Sequence, residues 1–321
     1  MKQVEHLLGY RASIKVMDAT LRDGGLVNDF YFTDDFVKAL YKTNLEAGVD
    51  YMEMGYRASK KVFDETNFGK WKFCSDDHIR EIVGENDTDL KLAIMADIGR
   101  HDKNDFDEKV NSPLDMVRVA AYIHQMPEAI DMIEDAHKKG YETTCNIMAI
   151  SQTQESDLKV ALDMLGKTPV DTIYIVDSFG SIYPEEMKRI VDIYMEAATK
   201  YGKQLGVHAH NNQQLAFANT IEACGDGVNW LDATYKGMGR GAGNCAMELL
   251  LGFLKNPKYN TYPVFRFISD YMVKLEEDGV VWGYDLQYLM TGQLNQHPRA
   301  AIKFTKEKRK DYAEFYKELI V

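Results

Sequence analysis

The stretch PVDTIYIVDS, residues 169–178, decides how the chain is read. Its β-branched and aromatic residues form a short apolar run, opened by a proline and closed by a polar pair, as a buried strand requires. Looser copies stand at GVDYMEM (48–54) and GVNWLDA (227–233). Each follows a helical pattern, which is what stacked strand–helix units would show. Working outward, the same texture marks strands at IKVMDATL (14–21), VDYMEMG (49–55), LKLAIMAD (90–97) and MVRVAAY (116–122). It continues at ETTCNIMAI (142–150), TIYIVDS (172–178), LGVHAH (205–210) and NWLDATY (229–235).

Helical patterns lie between these strands. TDDFVKALYKTNLEAG begins at a Thr33 or Asp34 cap and stops at Gly48. PEAIDMIEDAHKKG runs from Pro127 to Gly140 and PEEMKRIVDIYMEAATKYG from Pro184 to Gly202, proline inside the start and glycine past the end. Eight strands alternating with helices predict an α/β fold, a (β/α)8 TIM barrel. An open doubly wound sheet is the runner-up, disfavoured because no GxGxxG follows the first strand. The alternation ends near residue 256. The reading is therefore a catalytic barrel over residues 1–255 and a C-terminal helical appendage over 256–321. In its last helix Tyr312, Phe315, Tyr316 and Leu319 keep an i, i+3, i+4, i+7 spacing, giving one apolar face, with KEKRK as its solvated start.

Net charge is −12, which excludes a broad basic surface for nucleic acid. No apolar run approaches the ~18 residues of a membrane span, and MKQVEHLLGYRAS lacks the apolar core of a signal peptide. The cysteines Cys74, Cys145, Cys224 and Cys245 form no CxxC pair or disulfide framework. A cytoplasmic protein with buried thiols is expected.

In such a barrel the chemistry sits at the C-terminal ends of the strands. There the sequence places Arg22 and Asp23 (TLRDGG), Tyr56 and Arg57, Asp97, Asp177 and Ser178, His208 and His210 (HAHNN), and Asn244 closing GMGRGAGN. Residues two apart on a strand share a face, so His208 and His210 project side by side. Two imidazoles with one carboxylate suit Mn²⁺, Co²⁺, Zn²⁺ or Mg²⁺ with positions left open. Asp23 is the natural carboxylate, and Asn244 could add an amide oxygen. Singly, each motif also has a plain reading as a turn, a helix cap or a flexible loop; it is their convergence on one rim that points to a site.

TLRDGG, HAHNN and GMGRGAGN, in this order over residues 14 to about 255, resemble the DRE-TIM metallolyase superfamily. That group includes hydroxymethylglutaryl-CoA lyase, isopropylmalate and homocitrate synthases and the 4-hydroxy-2-oxovalerate aldolases. The resemblance implies a divalent metal, Mn²⁺ first, held by Asp23, His208 and His210 with Asn244 as ligand or neighbour. It implies that Arg22 stabilises the oxygen of an enolate and that Ser178 seats an α-keto acid; Tyr56, at the end of the second strand, is expected to bind substrate as well. The cation and Arg22 would both face the oxygen on which negative charge develops. GMGRGAGN is closer to the aldolase form than to the GxGERAGN of the Claisen-type synthases, and Cys245 follows Asn244 rather than preceding it as a lyase cysteine would.

One departure stands out. The aldolases carry a histidine base three residues after the motif aspartate, and here that position is Leu26. His297, in GQLNQHPRAA, is the substitute the sequence offers, because imidazole moves protons near neutrality. Tyr56, Asn28 and a water molecule are fallbacks. The RDGG form also resembles aldolase-like proteins of polysaccharide and nucleotide-sugar pathways, which implies a sugar-derived aldehyde. The expected partners are a small 2-oxo acid and an aldehyde, with no nucleic acid or membrane; the apolar residues of YPVFRFISDYMV either support a homodimer interface or pack on their own barrel. Two alternatives remain: a Claisen-type acyltransferase using acyl-CoA, and a non-catalytic metal-binding homologue.

Overall fold

The computed structural model describes residues 13–102 and 105–321. Most of MKQVEHLLGYRAS, read above as no signal peptide, lies outside the described residues. The strands are β1 (Lys15–Asp18), β2 (Tyr51–Tyr56), β3 (Lys91–Asp97), β4 (Met116–Ala121), β5 (Glu142–Ile147), β6 (Thr172–Asp177), β7 (Gln204–Ala209) and β8 (Trp230–Ala233). All pair in parallel and in sequence order, and β8 returns to β1 through Lys15–Trp230 and Asp18–Ala233 to close the barrel.

Around the strands run α1 (Thr20–Gly24), α2 (Asp34–Ala47), α3 (Asp76–Val83), α4 (Met126–Lys138), α5 (Glu155–Gly166), α6 (Pro184–Tyr201), α7 (Ala216–Gly225) and α8 (Met247–Leu254). Thr33 caps α2 by accepting from the Phe36 amide, and α6 starts on Pro184 and stops at Gly202, as their sequences require. Phe36, Val37 and Leu40 of α2 and Met187, Val191 and Tyr194 of α6 turn inward as buried stripes.

The first strand is shorter than its sequence suggests. It ends at Asp18, and TLRDG makes one helical turn rather than more strand. The cause is Asp18 itself: its carboxylate accepts from the amide and hydroxyl of Thr20 and from the Asn44 amide, which turns the chain. Burial pushes this carboxyl up to about 6. Gly25 then closes the turn, because a Cβ there would lie 2.2 Å from the Phe30 ring.

A second irregularity lies in β2, whose register against β3 shifts between Glu53 and Tyr56. Gly55 sits in this bulge at φ 133°, and its Cβ would fall 2.2 Å from the carbonyl oxygen of Trp71. The bulge re-aims Tyr56 and draws the backbone of residues 70–72 against the strand end.

Beyond the barrel come α9 (Thr261–Phe267), a π-helical turn at Ile268–Met272, α10 (Val273–Glu277), α11 (Leu286–Gln293), α12 (Arg299–Lys306) and α13 (Tyr312–Ile320). In YPVFRFISDYMV, Val264, Phe267 and Met272 are buried, Phe267 against Phe36 of α2, while Tyr262 and Phe265 face outward. In α13 Phe315 is buried on Phe304, with Tyr312 and Leu319 packed beside it; Tyr316 is 38% exposed and falls outside the apolar stripe. The link from α11 to α12 lies over the barrel mouth: Asn295 exchanges hydrogen bonds with Ser151 and accepts from Ser181.

Candidate metal centre and barrel mouth

The two histidines of HAHNN lie where period-two spacing puts them. His208 is on β7 and His210 just past its end, their ring centroids 5.2 Å apart. With Asp23 on α1 they form a buried cluster whose ligand atoms all lie within 4.8 Å of one another. Nε2 of His208, Nδ1 of His210 and Oδ1 of Asn244 are buried without a hydrogen-bond partner among the described residues. Three unpartnered acceptors around one carboxylate are costly unless something bridges them. A divalent cation fits that donor set.

Each donor is held from behind. His208 Nδ1 lies 3.0 Å from Asp232 Oδ2, which fixes the ring and leaves Nε2 forward. Asn244 donates to Asp23 Oδ2 at 2.5 Å and to the Met238 carbonyl. Burial disfavours charge on Asp23, yet the Arg22 guanidinium beside it holds its carboxyl below the usual range. Burial likewise pushes His210 well below the ordinary imidazole value, despite the Asp23 carboxylate beside it. A neutral imidazole is the form that ligates metal.

Behind the donors runs a chain of charge the sequence reading passed over. Arg22 donates to Asp23 at 2.8 Å and to Glu53 at 2.8 Å. Glu53 lies 3.0 Å from Arg118, and Arg118 donates to Asp232 at 2.7 Å. Asp232 closes the path back to His208. Glu53, Arg118 and Asp232 come from β2, β4 and β8, and Tyr174 of β6 stacks under Arg118 at 4.5 Å. Alternate strands filling one layer is how such barrels pack; here the layer is ionic. Burial opposes the charge on Arg22, but Glu53 and Asp23 keep it protonated. The available signal was a lone charge inside each of three apolar strand runs.

The other expected residues also reach the mouth. Ser178 accepts from the Ala149 amide at 2.9 Å, and its carbonyl accepts from Arg240 at 2.6 Å. Arg240 also approaches His210 Nε2 at 3.4 Å. Tyr56 is buried at the end of β2, where burial and Asp97 raise its phenol above the ordinary value. His297 lies edge-on to Phe179, centroids 5.7 Å apart, and burial with Arg240 pushes it down to about 4. Asn28 donates to the Tyr31 carbonyl and so serves its own loop. Asp177 does the same for the turn after β6, accepting from Ser181 and Ile182 amides. Arg57 lies away from the ligand cluster, bound to Asp76 and the Cys74 carbonyl. All four cysteines are buried.

The buried Asp–His–His cluster beside Arg22, at the C-terminal mouth of a closed parallel barrel, fits a metal-dependent lyase of the DRE-TIM type. Comparison with known proteins agrees: residues 13–268 match the HMGL-like family, and the chain belongs to it. Among curated relatives, oxaloacetate decarboxylase of Mycobacterium tuberculosis is 28% identical over 241 residues, 75% of this chain and 69% of that one. The 4-hydroxy-2-oxovalerate aldolase of Thermus thermophilus is 29% identical over 247 residues, 76% of this chain and 70% of its own. Among solved structures, the N-terminal domain of a Bacteroides vulgatus protein described as a candidate aldolase superposes with TM-score 0.75 at 28% identity, covering 91% of this chain and 97% of that one. No helix among the described residues is long and apolar enough to cross a membrane.

Proposed function

We propose that the protein makes or cleaves the bond between a pyruvate-type 2-oxo acid and an aldehyde, the aldehyde being sugar-derived. The observation that carries this reading is the set of unpartnered donors of His208, His210 and Asn244 around Asp23, with the Arg22 guanidinium 2.8 Å from the same carboxylate. Bound there, Mn²⁺ or a similar ion would act as a Lewis acid toward a 2-oxo acid. Arg22, locked by Glu53, holds a preorganised positive charge for the oxygen that becomes anionic. Ser178 and Tyr56 shape the seat for the acid, and the link from α11 to α12 lies over the mouth. His297 is the proton carrier the sequence offers, a neutral acceptor throughout the physiological range.

A second reading shares the same first half. The likeness to an oxaloacetate decarboxylase favours a reaction in which carbon dioxide, not an aldehyde, leaves the 2-oxo acid. Both routes pass through the enolate of pyruvate. The first test is therefore loss of the pyruvate methyl proton signal in D₂O with Mn²⁺, with His208→Ala as control. Exchange that needs both metal and His208 supports the shared step; an aldehyde screen and an oxaloacetate assay then separate the two. Metal binding without exchange turns the search to acyl-CoA substrates and to a non-catalytic role.

A further inference from the structure

Lys72 is 6% exposed and lies in the segment that the β2 bulge pulls against the strand end. Its Nζ stands over four aromatic rings: Phe63 at 4.3 Å, Tyr56 at 4.6 Å, Phe30 at 5.0 Å and Phe68 at 5.7 Å. No carboxylate or carbonyl accepts a hydrogen bond from it among the described residues. Lys70, two positions earlier, shows the ordinary arrangement, paired with Asp34 at 2.8 Å and Glu81 at 3.1 Å. An ammonium on a buried side chain, with ring faces in place of a hydrogen-bond acceptor, is expensive, since cation–π attraction returns a fraction of its hydration. Such a group is kept for chemistry more readily than for stability.

Its place supports that. Tyr56 belongs both to the cage and to the mouth. Phe30 folds back over Gly25, two residues after Asp23, and lies in the loop that carries Leu26. Lys72 thus stands beside the loop whose histidine is missing here. It is no more buried than the residues around the metal cluster: Arg22 is 4% exposed and His210 4%. The charged groups that act on it are Asp97 at the end of β3 and Arg100 just beyond; Tyr56 is the titratable member of its cage. Lys60 instead pairs with Glu65 at 2.6 Å.

We propose that Lys72, rather than His297, carries the proton in the carbon–carbon step, an assignment that rests on the lyase reading above. The neutral amine takes a proton from the methyl carbon of the 2-oxo acid, and the C–H electron pair becomes the enolate. The enolate carbon then bonds to the aldehyde carbon, and the carbonyl π pair moves to oxygen. That oxygen receives the proton back from the Lys72 ammonium, giving the alcohol. Cleavage runs the same steps in reverse, with no oxidant or reductant. Burial, against the pull of Asp97, pushes the ammonium down to about 8, so both forms are populated near neutrality.

Two measurements on the full chain test this. In the first, pyruvate methyl exchange with Mn²⁺ is followed from pH 6 to 9.5. Lys72 as base makes the rate rise with pH and level off near 8; a neutral His297 would leave it flat over that range. Lys72→Met should slow exchange by about 100-fold or more and abolish the rise, with Mn²⁺ stoichiometry and thermal unfolding retained. Lys72→Arg should also abolish it, and His297→Ala should keep the break. Exchange by Lys72→Met within a few-fold of the parent, or with the break intact, overturns the assignment. If the parent itself exchanges nothing, the lyase reading fails first and the assignment falls with it. The second measurement needs no turnover: the lysine Cε shift absent from Lys72→Arg is titrated by NMR in metal-free protein. A midpoint near 8 is expected, and one at the ordinary lysine value, about 10.4, overturns the proposal.

Discussion

The two sides of the barrel mouth handle charge in opposite ways. In the layer under the ligand cluster, which runs from β7 and β8 through β4 and β2 to α1, every charge is tied to the next, from His208 through Asp232, Arg118, Glu53 and Arg22 to Asp23. On the β2–β3 side Lys72 rests on ring faces without an ion-pair partner among the described residues, and Oδ1 of Asp97 has no hydrogen-bond partner there. A chained charge cannot change protonation without disturbing its neighbours, so it holds geometry. An isolated one in an apolar box changes protonation at small cost, so it can move protons. The mouth joins a fixed half to a titrating half.

The largest effect that could break this contrast is at the centre of the chain. Arg118→Met removes the cation that Glu53 and Asp232 share in the core, and a loss of about 3–5 kcal/mol is expected by urea unfolding; a variant as stable as the parent would mean the chain holds nothing. Next, Arg22→Ala should lower the rate of methyl exchange by roughly 100- to 1000-fold while leaving Mn²⁺ bound, because it removes a preorganised donor. Smaller again, Asp232→Asn frees the His208 ring, and calorimetric titration should show Mn²⁺ affinity falling by about 10- to 100-fold. Least of all, Phe68→Leu thins the ring cage. It should cost about 0.5–2 kcal/mol and shift the break in the exchange profile upward, since a better-hydrated amine holds its proton to higher pH; a downward shift would contradict the cage.

The two ends of the fixed chain, Arg22 with Asp23 and His208, were legible in the sequence, as were Tyr56 and Asp97 of the titrating half; the middle of the chain and Lys72 were not. His208 and His210 follow from strand periodicity, and Asp23 from its motif after the first strand, two places further around the ring. Glu53, Arg118 and Asp232 escaped because a single charge within MEM, VRV or LDA carries no local pattern; only closure of the barrel brings them to one layer. The end of β1 was misplaced because the turn is made by a side chain, Asp18, that an apolar pattern does not weigh. Lys72 escaped for a related reason. Its four rings are spread from residue 30 to 68, and its position depends on a bulge at Gly55. Helix ends, by contrast, are written in neighbouring residues, and Thr33, Pro184 and Gly202 act where they stand.

The ionic layer has a further consequence, for assembly of the fold rather than for its chemistry. Side chains of a strand alternate between the barrel interior and the helix-covered outside, so slipping one strand by a single residue exchanges the two sets. For β4 that slip would drive Arg118 out among the greasy faces of the helices and leave Glu53 and Asp232 facing each other as like charges. Apolar interiors tolerate many near-equivalent alignments; three interlocked ions tolerate one. The layer therefore serves as a key to strand alignment, admitting the correctly closed barrel and penalising its near neighbours.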